Sequence, residues 1–108
     1  MTDINQIISA IKDTLKDEGV EKVILFGSYA YGIPTDDSDI DILAIKNIPE
    51  SETRDFRLRL KKILWAKFGR LNFTFDILVD NEERIKKRIS IGDLFYQEIY
   101  SKGRILYA

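Results

Sequence analysis

The chain has 108 residues and a mass of 12.6 kDa, enough for one packed core and too little for a separate substrate domain beside it. It contains neither cysteine nor histidine, which excludes disulfides, thiolate zinc sites, Cys or His nucleophiles and Ser-His-Asp triads, and leaves oxygen-ligand metal chemistry well supplied. The net charge is −1 but unevenly spread: residues 1–50 hold ten acids and four bases, whereas residues 54–70 hold seven bases against Asp55 alone.

Ile4, Ile7, Ile8, Ile11 and Leu15 fall on one helical stripe, so the chain opens with an amphipathic helix. Asp3 is its N-cap, Gln6 follows three residues later, and Gly19 is its stop. The start, MTDINQ, lacks the basic and apolar regions of a signal peptide, and no stretch is long and apolar enough to span a bilayer. A cytosolic location with no membrane contact is the expectation.

Lys22 to Phe26 is short and rich in branched residues, which predicts a buried strand. It runs into Gly27 and Ser28. Gly27 can take backbone angles closed to other residues and lets a ligand approach the main chain, while Ser28 can cap the next turn and offers a hydroxyl. The N–H groups there would point outward unpaired, which makes an anion site. Ser28 to Tyr31 predicts about one helical turn, closed by Gly32. Pro34, Thr35, Asp36, Asp37 and Ser38 form a turn-rich loop in which the two acids read as turn formers.

A second strand is predicted over Asp39 to Ile45. Side chains alternate across a strand, so Asp39 and Asp41 share one face and Ile40 and Ile42 the other. Like charges so close repel, and the remedies are raised pKa values or a bound cation. Two carboxylates on a rigid strand are hard ligands of the kind Mg²⁺ accepts together with substrate phosphates. Taken alone, the pair equally fits a loop cap or partners for surface lysines.

After the connection Asn47 to Ser51, which contains Pro49, a helix begins at Glu52. Phe56, Leu60, Ile63, Leu64 and Phe68 form its stripe, Gly69 ends it and Trp65 lies beside the stripe. Its remaining circumference is basic, which reads as a solvated face or, functionally, as a surface for nucleic acid or an acidic protein. Leu71 to Val79 alternates, placing Asn72, Thr74 and Asp76 opposite Phe73, Phe75, Ile77 and Val79. Asp76 on a solvent-facing edge strand needs no function; next to the second strand it comes within reach of Asp39 and Asp41. The tail is helical from about Asn81, breaks near Gly92, resumes after Asp93 and stops at Gly103, and Arg104 to Tyr107 forms a short edge strand. Strands and helices alternate, so the class is α/β or α+β, a small mixed sheet with helices packed against it.

The ordered set Gly27, Ser28, Asp39, Asp41 and Asp76 resembles the nucleotidyltransferase superfamily that includes DNA polymerase beta: a Gly-Ser turn, a spacer, Asp-x-Asp, and a third Asp on a later strand. The chain's small size resembles the minimal nucleotidyltransferases (MNT), often the antitoxin partners of HEPN-domain toxins. The resemblance implies one domain over residues 1–108 with the polymerase beta palm-like fold. Asp39, Asp41 and Asp76 would hold two Mg²⁺ ions and Gly27 and Ser28 would bind the phosphates of ATP or another nucleoside triphosphate. It also implies AMP transfer to a hydroxyl of a HEPN-type toxin, with Asp76 taking the proton. The alternative is a binding module that neutralises a toxin by covering it. A polymerase fragment using the basic helix on nucleic acid is disfavoured, because no template-holding domain accompanies it. One departure stands out: many members carry a basic residue just before the closing glycine of the turn, where this chain has Tyr31.

Overall fold

The computed structural model describes residues 3–108; Met1 and Thr2, on which the reading of MTDINQ partly rests, lie outside the described residues. Helix α1 (Ile4–Asp17) starts where the Asp3 carboxylate accepts from the Asn5 N–H at 3.2 Å, and it buries Ile7, Ile8, Ile11 and Leu15. Strand β1 (Lys22–Phe26), the short α2 (Ser28–Tyr31) and strand β2 (Ile40–Ile45) follow. A long helix α3 (Glu50–Phe68) and a 3-10 turn (Gly69–Leu71) lead to β3 (Phe75–Asp80), then α4 (Glu82–Ser90), α5 (Leu94–Lys102) and β4 (Arg104–Tyr107).

The four strands form one sheet in the order β3-β2-β1-β4. Strand β1 runs antiparallel to both β2 and β4, whereas β2 and β3 are parallel. A parallel pair needs a long crossover, and α3 supplies it. Residues of β1 and β2 alternate between two apolar layers. Val23, Leu25, Ile42 and Ala44 pack with the α1 and α3 stripes, while Ile24, Phe26, Leu43 and Ile45 pack with Ile85, Tyr96 and Ile99 of α4 and α5. Helices therefore cover both faces, and the two central strands read as continuous apolar runs for that reason. Among the described residues, no helix is long and apolar enough to cross a membrane.

Three boundaries differ from expectation. Helix α3 begins at Glu50, with Pro49 as its N-cap residue, because proline's fixed φ suits a helix entry. Strand β3 begins at Phe75: Asn72 takes a left-handed conformation, φ 59°, after the 3-10 turn, so Leu71 to Thr74 cannot join the ladder at full length. Strand β2 begins at Ile40, which leaves Asp39 one residue ahead of it.

Candidate active site

The site forms where β1 ends and β2 and β3 begin. In the parallel ladder Asp41 is the register partner of Asp76, so both carboxylates leave the same face of the sheet. On its other side Asp41 is opposite Phe26, the last residue before the glycine turn. Asp39, two residues back, is exposed and accepts a hydrogen bond from the Thr74 hydroxyl. The Thr74 carbonyl in turn accepts from the Ile40 N–H at 2.9 Å, which ties the entries of β2 and β3 together.

Gly27 has φ 72° and ψ −154°, a region that glycine alone occupies readily. A Cβ built there would stand 2.0 Å from Asp41 Oδ2, so the missing side chain is what lets the Asp41 carboxylate lie against the turn. The Gly27 carbonyl accepts from the N–H groups of Ala30 and Tyr31 at 3.0 and 3.1 Å. The first N–H groups of a helix have no intrahelical acceptor, and among the described residues those of Ser28 and Tyr29 find none elsewhere.

Electrostatics marks the same spot. Burial, then the charges of Asp76 and Asp39, push the Asp41 carboxyl up to about 6. Asp76 leans toward the Arg57 guanidinium of α3 at 3.9 Å, and Asp39 is drawn to Thr74. Among the described residues no three such side chains stand close enough together to hold a metal ion as they are placed. The donor chemistry nonetheless fits a hard divalent cation, because Asp41 feels the charges of both Asp76 and Asp39 and all three offer carboxylate oxygens.

Beside Asp39 opens a cavity of about 560 Å³, lined also by Tyr29, Asp36, Asp37, Ser38 and Thr74, a size usual for small-molecule sites. Asp41 and Asp76 do not line it. Asp36 and Asp37 sit in the expected turn, closed by the Thr35 N–H on Ser38 Oγ at 2.8 Å and the Ser38 N–H on the Thr35 carbonyl at 3.0 Å. The position of Tyr31 is resolved by a residue far away in sequence: Lys102, at the end of α5, carries its Nζ 6.0 Å from the Tyr31 ring centroid. A positive charge thus stands beside the turn after all. Thr74, Arg57 and Lys102 were invisible as site neighbours in the sequence, since only the fold brings them to it.

A Gly-Ser turn against two register-paired aspartates, on a mixed sheet with helices on both faces, defines a nucleotidyltransferase. Residues 4–100 match the family described as "Nucleotidyltransferase domain", and the chain belongs to that family, whose activity is nucleotidyl transfer. It is 33% identical over 104 residues, covering 96% of this chain and 94% of the relative, to "Putative protein adenylyltransferase MJ0604" of Methanocaldococcus jannaschii. Two further proteins of that organism are similar. "Putative protein adenylyltransferase MJ1379" is 40% identical over 72 residues, or 62% of this chain and 72% of the relative. "Putative protein adenylyltransferase MJ0141" is 34% identical over 80 residues, or 68% and 75%.

Proposed function

We propose that the chain is a single minimal nucleotidyltransferase domain that moves AMP from ATP onto a hydroxyl of a partner protein and releases pyrophosphate. The observation that carries this reading is the pairing of Asp41 with Asp76 across the parallel ladder, with the Gly27 backbone against Asp41. The names of the similar proteins favour a protein as the acceptor.

Asp39, Asp41 and Asp76 would together hold Mg²⁺, two ions in the family pattern. Such ions, when bound, neutralise the triphosphate and acidify the attacking hydroxyl. The unpaired N–H groups of Ser28 and Tyr29 and the Ser28 hydroxyl receive the β and γ phosphates, and Lys102 adds the cationic charge that Tyr31 lacks. The acceptor oxygen attacks the α-phosphorus, the bond from that phosphorus to the bridging oxygen breaks, and the hydroxyl proton passes to the Asp76 carboxylate. Arg57 stands beside that carboxylate at 3.9 Å. The acceptor fitting this reading is a HEPN-type toxin, silenced by the modification, in the cytosol.

The second reading, a toxin-covering module without activity, draws on the dispersed carboxylates described above. Two measurements separate the readings. A ligand that binds only the folded state must raise its melting temperature, by the equivalent of about 2.7 kcal/mol at a hundred times Kd. Mg²⁺ with ATP is expected to raise it, and α-labelled ATP is expected to label the partner. Absence of both effects at millimolar nucleotide would favour the covering module.

A further inference from the structure

Strand β3 is an edge of the sheet, so half of its backbone groups face outward. The carbonyls of Thr74 and Asp80 accept from Ile40 and Lys46 of the β2 side, and in a parallel ladder the N–H and C=O of one residue point to the same neighbour. Phe75, Ile77 and Val79 therefore turn theirs outward. Arg57 Nε already holds the Ile77 carbonyl at 2.7 Å. Phe75, next to the candidate active site, keeps its outward groups open among the described residues.

Beside that open end lies a cavity of about 410 Å³ between β3 and α3, floored by Leu64, Phe75 and Ile77 and rimmed by Trp65, Lys61 and Lys62. Trp65 is 65% exposed, yet it is not loose: a Cβ on Gly69 would stand 3.1 Å from the Trp65 ring, so the indole lies down over the bare glycine backbone. An ordered, exposed tryptophan is the residue type that dominates binding energy when covered, because little entropy is left to lose. Of the basic residues on α3, Arg59 pairs with Glu18 and Arg57 with Asp76. Lys61 and Lys62 have no carboxylate within 4.0 Å among the described residues. The surface is thus an apolar slot framed by unmatched positive charge.

We propose that this slot docks an extended, acidic segment of a partner protein, one apolar side chain entering against Trp65 and Phe75 while flanking carboxylates meet Lys61 and Lys62. Charge complementarity selects an acidic occupant, and the outward backbone of Phe75 favours an extended one. Nucleic acid is the poorer fit: the chain as a whole is acidic, with a pI of about 5.5, and the slot admits a side chain better than a phosphate backbone. Binding here requires neither nucleotide nor transfer, so its test is independent of the catalytic reading.

Trp65 is the chain's one tryptophan, so its emission reports occupancy directly. An octapeptide of alternating glutamate and leucine, added without nucleotide, is expected to shift that emission to the blue, saturably and more weakly as salt rises. Octapeptides of glutamate and serine, or of lysine and leucine, are expected to leave it unmoved. By anisotropy of the labelled peptide, Trp65→Ala should weaken binding about tenfold or more, and Lys61→Glu with Lys62→Glu similarly, both side-chain sets being exposed enough for the fold to survive. Unchanged affinity in the folded Trp65→Ala variant overturns the proposal. So does a blue shift that depends on protein concentration alone, which would mean self-association, or a response to polyuridylate and not to the acidic peptide.

Discussion

Carboxylates stand at opposite ends of β2 and β3 on the same face of one sheet, and they are treated in opposite ways. At the far end Asp80 is 2% exposed and fully matched: it accepts from the Tyr96 hydroxyl at 2.6 Å, from the Asn81 N–H at 2.9 Å and from Arg84, which also reaches Glu50 at 3.1 Å. Those partners come from α4 and α5, so the cluster fastens both helices to the sheet. Burial and the Asp80 hydrogen bond raise the Tyr96 hydroxyl pKa, which keeps it a donor. At the near end Asp41 has two like-charged neighbours and a glycine backbone, and Arg57 is attached to Asp76 only at long range. A buried carboxylate held by three donors is structure. Carboxylates crowded together without compensation cost stability, and a fold keeps them where something else is to be bound.

The contrast is broken most sharply by removing one carboxylate at each end. Asp39→Asn at the near end should lower AMP transfer by about a thousandfold, roughly 4 kcal/mol of transition-state stabilisation, while circular dichroism and melting stay native. Retained label transfer from α-labelled ATP would refute the role given to Asp39. Asp80→Ala at the far end should do the reverse, costing about 3 kcal/mol of stability, on the order of 15 °C in Tm, because Arg84 and Tyr96 lose a buried partner. A melting loss near zero there would mean that α4 and α5 are held by packing alone. Next in size is Gly27→Ala. Its left-handed φ and the closeness of Asp41 Oδ2 predict a loss of about 2 kcal/mol in urea unfolding together with a loss of nucleotide binding.

How much of this contrast the residues announced depends on how local its causes are. The isoleucine stripe of α1, the branched run of β1 and the helix ends at Gly103 and Asp93 follow from short-range periodicity and capping, and they stand where expected. The near-end acids were legible as a pattern because Asp39 and Asp41 are spaced as Asp-x-Asp at a strand entry and Asp76 alternates with apolar residues. Their pairing needed one long-range fact, that β3 lies beside β2 and parallel to it. Asp80 lies one residue past the alternating run Leu71 to Val79, whose pattern says nothing of its burial, although Arg84 four residues on is the spacing of a helix-entry ion pair. The basic block looked uniform, yet Arg57 turns inward to Ile77 and Asp76 while Lys61 and Lys62 stay out. No one-dimensional pattern separates them, because the direction of β3 under α3 decides it.

The smallest effect is also the most diagnostic, because its size depends on pH. The fold raises the Asp41 carboxyl from its usual 3.8 to about 6, so the native state favours the protonated form more than the unfolded chain does. Below about pH 4 both states are protonated and Asp41 costs nothing. As pH rises from 4 to 6 the unfolded chain gives up its proton first, native stability falls, and above 6 the full cost remains. Asp41→Asn removes the titration, so the variant should match the wild type near pH 4 and exceed it at pH 7 by roughly 1–2 kcal/mol, after allowance for the partial exposure of the group. Mg²⁺ should reverse the order at pH 7 by stabilising the wild type and not the variant. Parallel urea curves at pH 4.5 and 7.5, with and without Mg²⁺, measure all four corners. If wild type and variant keep the same difference at both pH values, Asp41 is not the strained member of the cluster, and the two ends of the sheet differ less than their geometry implies.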